Sequence, residues 1–112
     1  MSVFQEKLKM SVNASNSLLC VGLDPDPNRM PIENVFEFCV GLVDGTAEYS
    51  GAFKPNLGFF EALGIDGLTT LKRIVEYIHE RYPGKLVIGD GKRGDIDSTS
   101  SRYATALFEF WD

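Results

Sequence analysis

Three short apolar runs, each ending at or near a charged residue and each followed by a helix-length stretch, restrict this chain more than any other feature. SLLCVGL (17–23) leads into the turn-rich DPDPN, GAFKPN (51–56) stops at Pro55, and KLVIGD (85–90) has a fully apolar centre from Leu86 to Ile88. Proline cannot donate to a ladder, and an apolar centre suits a parallel strand covered on both faces. Phe4, Leu8 and Val12 recur at four-residue spacing and predict a leading helix over 2–13. Residues 33–48 place Val35, Phe36, Cys39, Leu42 and Val43 on one helical face. Residues 66–82 do the same with Leu68, Leu71, Ile74, Val75 and Ile78, behind Asp66 as N-cap. A last helix from about Ile96 carries Tyr103, Leu107 and Phe110 or Trp111 on its apolar side.

Strands alternating with helices predict an α/β fold with a parallel sheet and right-handed crossovers. Three strands alone leave two unpaired edges and incompletely covered helix faces. The 112 residues are also roughly half of the ~250 that a (β/α)₈ barrel needs. The chain therefore reads as the first three βα units of such a barrel. On this reading residues 1–112 would be the N-terminal part of one barrel domain, broken off at LFEFWD inside or just after the third helix.

Composition narrows the classes of function. A chain 44% hydrophobic and 24% charged is not disordered. Its net charge of −5, with scattered basic residues, argues against nucleic acid as a partner. No apolar run approaches the ~20 residues that span a bilayer, and MSVFQEKLKM lacks the apolar core of a signal peptide. No membrane partner is expected, and the default location is the cytoplasm. Cys20 and Cys39 both lie in apolar runs and read as buried free thiols.

In parallel α/β folds, reacting groups project from the carboxyl ends of the strands. Asp24 closes the first strand here, Lys54 lies near the end of the second, and Asp90 closes the third. The chain then reads Asp90-Gly91-Lys92-Arg93-Gly94-Asp95. In an extended chain residues two apart point the same way, so Asp90 and Lys92 can share a pocket. Carboxylates beside an ammonium favour its charged form. Such a group in a water-poor pocket stabilises carbanion charge and donates a proton. No histidine base accompanies it: His79 sits between polar neighbours on the 66–82 helix, which marks a surface residue. Chance alone yields a D-x-K-x-x-D string in about 3% of shuffled chains of this composition. Asp24 alone would be a turn residue before proline and Lys54 alone a solvated lysine; the convergence of three strand ends is what argues for a site. Asp24-Pro25-Asp26 also admits a phosphatase-type aspartyl nucleophile, although prolines flank both aspartates and the Asp90–Asp95 string is left unexplained.

LLCVGLDPDP (18–27), FKPNLGFFEALG (53–64) and LVIGDGKRGDIDSTSSRYATALF (86–108) resemble, in order, the three N-terminal blocks of orotidine 5′-phosphate decarboxylases, in particular the long bacterial-type (type 2) subgroup. The resemblance implies a homodimeric (β/α)₈ barrel that converts orotidine 5′-phosphate to UMP and carbon dioxide without a cofactor, in de novo pyrimidine synthesis. By position, Lys92 would donate the proton to C6 and Asp90 would sit by the substrate carboxylate. Lys54 would complete the charged network on the ribose side, and Asp24 would bind ribose hydroxyls. Asp95 and Thr99 would reach into the neighbouring subunit's site. Related barrels with the same string, the hexulose-phosphate synthase and ketogulonate-phosphate decarboxylase types, use magnesium and place an acidic ligand on the second strand. Lys54 stands there in this chain, so no metal is expected. Gly91 replaces the family's usual alanine and Asp97 a glycine. The family's phosphate-gripping arginine, closing loop and five of eight strands would lie beyond Asp112. The resemblance therefore leaves a decarboxylase represented by its N-terminal part as the first reading, with an inactive half-barrel that needs a partner fragment, or a related D-x-K-x-x-D sugar-phosphate lyase, as alternatives.

Overall fold

A computed structural model describes all 112 residues. The order of elements is α1 (Val3–Ser15), β1 (Cys20–Leu23), α2 (Val35–Thr46), β2 (Ala52–Pro55), α3 (Leu57–Glu61), α4 (Gly64–Arg81), β3 (Leu86–Val87) and α5 (Asp97–Thr105). A 3₁₀ turn (Ala47–Tyr49) extends α2 and a π-helical turn (Ala106–Phe110) extends α5. The three strands form one parallel sheet in the order β1-β2-β3, as the alternation predicts. Cys20–Leu23 pair with Ala52–Pro55, and Ala52 and Phe53 pair with Leu86 and Val87. A further parallel bridge joins Asn56 to Asp90.

One face of this sheet is covered and the other only in part, at Ala52 and Leu86. Leu23 and Phe53 are fully buried against Cys39 and Val43 of α2, Phe60 of α3, and Leu71, Ile74 and Ile78 of α4. Removing each such side chain from water contributes about 1.5–3 kcal/mol. Cys20, on the opposite face, is exposed, so only one of the two expected buried thiols is buried. Cys39 is that one, and desolvation pushes its thiol up to about 12. Ile88 is 39% exposed on the same face as Cys20: there the third run is covered at Leu86 but not at Ile88.

Several expected boundaries move. The α1 stripe does not dock, since Phe4 and Leu8 are exposed; α1 is held instead by buried Ser11, whose Oγ donates to the Gly51 carbonyl at 2.5 Å. The structure adds α3, which is too short to show periodicity in sequence. Gly64, at φ +71°, turns α3 straight into α4. The long helix therefore starts before Asp66, which lies in its first turn and favours the helix dipole without capping. Gly67 is needed at the α3–α4 contact, because a Cβ there would sit 2.1 Å from the Phe60 carbonyl oxygen. Of the two alternatives at the end of the chain, Trp111 packs against the core while Phe110 stays exposed.

Candidate active site

The charged residues gather at the carboxyl end of the sheet. Lys54 is the third residue of β2 and pairs in register with Gly22. Asp90 lies beyond β3 yet remains tied to β2. Its N–H donates to the Pro55 carbonyl (3.2 Å), and its own carbonyl accepts from the Leu57 N–H (3.1 Å). Lys54 Nζ donates to Asp90 Oδ2 at 3.2 Å and Lys92 Nζ to Asp90 Oδ1 at 2.6 Å, so each carboxylate oxygen holds one ammonium. These contacts, that of Lys92 first, hold the Asp90 carboxyl below its ordinary range against partial burial.

The route by which Lys92 reaches Asp90 differs from the expected one. The chain is not extended there: Lys92 has φ +50°, in the left-handed region that lysine seldom adopts. Its side chain is 77% exposed, against 22% for that of Asp90 and 36% for that of Lys54.

Asp24 joins the group through a residue that the sequence reading passed over. Asn56 Nδ2 donates to Asp24 Oδ2 at 3.1 Å, while Asn56 Oδ1 accepts from the Gly58 N–H and caps α3. The Asn56 N–H donates to the Leu23 carbonyl (3.1 Å), and Asn56 bridges to Asp90, so one side chain and its backbone touch all three strand ends. The only sequence signal was its place directly after Lys54-Pro55. Gly22 leaves room for the Asp24 carboxylate, which lies 3.0 Å from where a Cβ would stand. A shallow cleft of about 350 Å³ continues from Asp24 past Arg29, Met30, Phe38 and Phe59. Asp26 serves a turn, accepting from the Asn28 N–H at 3.0 Å.

Asp95 and Thr99 stand apart from this network. Asp95 is exposed and its Oδ1 accepts from the Ile96 N–H at 2.7 Å; Thr99 is half-buried in the first turn of α5. His79 lies on the outer helix layer, 3.5 Å from Asp112 Oδ1. The two departures from the family's third block fit their surroundings. A Cβ at Gly91 would meet Leu57 at 3.4 Å, close to ordinary contact, and Asp97 opens α5, where an acid is favourable.

Both Asp90 oxygens are paired with ammonium groups, those of Lys54 and Lys92, so this carboxylate is a poor ligand for a divalent ion. The arrangement suits a reaction in which negative charge develops near fixed ammonium groups.

Comparison with known proteins gives this geometry a context. Residues 17–112 match the model of the "Orotidine 5'-phosphate decarboxylase / HUMPS family". The curated orotidine 5′-phosphate decarboxylase of Ralstonia pickettii is 46% identical over 112 residues, and that of Christiangramia forsetii is 43% identical over 110. These alignments cover 95% and 93% of this chain but only 41% and 40% of the relatives, so the chain spans about two-fifths of their length. Among solved structures, a putative orotidine-monophosphate-decarboxylase from Toxoplasma gondii superposes with a TM-score of 0.87 at 36% identity, covering 95% of this chain and 37% of that one. Leishmania donovani OMP decarboxylase gives 0.80 at 35%, covering 99% and 41%.

Proposed function

Because the chain belongs to the orotidine 5′-phosphate decarboxylase / HUMPS family, we propose that residues 1–112 are the N-terminal part of a barrel that converts orotidine 5′-phosphate to UMP and carbon dioxide. The observation that carries this reading is Asp90 gripped by Lys54 and Lys92 at the carboxyl end of a parallel sheet. In the reaction the bond from C6 to the carboxylate breaks, its electron pair stays on C6, and carbon dioxide leaves. That pair lies in the ring plane, beyond the reach of ring delocalisation, so fixed positive charge must lower the barrier. Lys92 stabilises the developing anion and donates its proton to C6; Asp90 orients Lys92 and repels the substrate carboxylate. Lys54 balances Asp90 on the ribose side, and Asp24 binds ribose hydroxyls. Charge and one proton suffice, so the reading needs neither cofactor nor metal.

Asp95 is exposed, and neither it nor Thr99 hydrogen-bonds to Lys54, Asp90 or Lys92, which supports a role across a dimer interface, in the site of a second copy. The phosphate of the substrate would be held by the remaining strands, and binding energy from such a remote group is what drives the reacting centre. The 112-residue chain alone is therefore expected to form no UMP. The test is a complete barrel, in which this segment is joined to the C-terminal three-fifths of the Ralstonia pickettii relative, assayed by absorbance with and without Lys92→Ala. Loss of at least about 10³-fold in kcat is expected; unchanged UMP formation would overturn the assignment.

A further inference from the structure

Lys92 is held in an unfavourable backbone conformation with most of its side chain in solvent, and no backbone–backbone hydrogen bond ties residues 91–95 to the rest of the chain. Asp90 holds the amine, but something else must hold the Lys92 backbone. The neighbouring residue, Arg93, has a use that the sequence reading did not give it. One guanidinium nitrogen donates to the Gly91 carbonyl, closing a loop around Lys92, and another pairs with the carboxylate of Glu61, the last residue of α3. The guanidinium carbon also lies 5.8 Å from the centre of the Tyr103 ring on α5.

We propose that Arg93 and Glu61 form a clamp that positions Lys92 for proton delivery. The structural logic is a closed circuit. Asp90 bridges to Asn56, Asn56 caps α3, α3 ends at Glu61, Glu61 holds Arg93, and Arg93 fixes the peptide of Lys92, whose amine returns to Asp90. A planar guanidinium can engage a carbonyl and a carboxylate at once; a lysine at this position would offer a point charge without the fork. No hydrogen bond or ion pair joins Arg93 or Glu61 to Asp90, Lys54 or Asp24, so the pair acts through Lys92 as positioning residues.

The inference rests on the decarboxylase reading and is tested in the complete barrel described above. Arg93→Ala and Glu61→Ala are each expected to lower kcat about 10- to 100-fold, since small displacements of a reacting group cost this much, with KM unchanged within about twofold. The double variant should be no slower than the worse single one, because the two act as a unit. Arg93→Lys should recover only part of the loss. If Arg93→Ala does not fold, Glu61→Gln, which keeps the volume and removes the charge, carries the test. Single variants with kcat within about twofold of the parent, or losses that multiply in the double variant, would overturn the clamp. If Lys92→Ala abolishes UMP formation while Arg93→Ala and Glu61→Ala do not, only the clamp falls; if Lys92→Ala leaves UMP formation untouched, both readings fall.

Discussion

β1 and β2 are paired along four residues each, with Leu23 and Phe53 sealed under the helices. β3 is paired along two, and everything after Asp90 leaves the ladder. The contrast matters because the two sides of the site hang on different supports. Lys54 and Asp24 rise from a backbone that hydrogen bonds and core packing hold in place. Lys92 stands on a loop held by side chains: an ammonium on Asp90, an arginine on Glu61, and Asn56 beneath both. A strand end supplies position at little cost in specificity of sequence, whereas a loop needs particular partners. The most exposed of the three charged groups thus stands where the backbone ladder supplies least, and the polar contacts make up the difference.

Substitutions can separate the two kinds of support. The largest effect is expected in the packed layer: Phe60→Ala empties a fully buried site and should lower stability by about 3–5 kcal/mol, read as a shift of the urea midpoint of the complete barrel. Lys54→Ala follows, with kcat/KM reduced about 10²–10³-fold while the urea midpoint moves little, since Lys54 touches the site and not the core. Gly67→Ala should cost about 1–3 kcal/mol, because the Phe60 carbonyl cannot move away without shifting α3. An unchanged midpoint there would show that α3 is loosely held, and would weaken the support of the Lys92 loop with it. Asn56→Ala removes a cap and the contact to Asp24; about 1 kcal/mol of stability and a rise in KM larger than the fall in kcat are expected.

The smallest expected effect is on pH dependence. Asp90 is held below its ordinary value, so its two ion pairs are intact above the usual carboxylate range and are lost as pH falls through the lowered folded value. The acid limb of kcat assigned to this carboxylate should therefore lie below about pH 4, the unperturbed carboxylate range. A limb at or above that range, removed by Asp90→Asn, would show that the two lysines do not hold Asp90 in the complete barrel.

Much of the architecture was legible in the residues. The β-α-β-α-β order, the parallel sheet and the faces of α2 and α4 follow from apolar periodicity, because burial on one side imposes a repeat of 3.6 or 2 wherever the element is long enough. Asp24, Lys54, Asp90 and Lys92 were also legible, since strand ends in such sheets face one direction and charged residues there stand out against apolar runs. The five residues of α3 were not legible, nor the early start of α4 at Gly64, because one turn of helix has no period to show. The burial of Cys20 was misjudged for a related reason: an apolar run does not say how many layers cover it.

What the chain determined by itself is local: which segments become strands and helices, where each must stop, and which charged groups arrive at the strand ends. Tertiary structure decided what those groups touch. Asn56 meets Asp24 across 32 positions, Arg93 meets Glu61 across 32, and Lys54 meets Asp90 across 36. Spacing along a chain says nothing about such pairs until sheet register and helix packing have set the distances, because ion pairs and hydrogen bonds depend on ångströms in space and periodicity reports only direction.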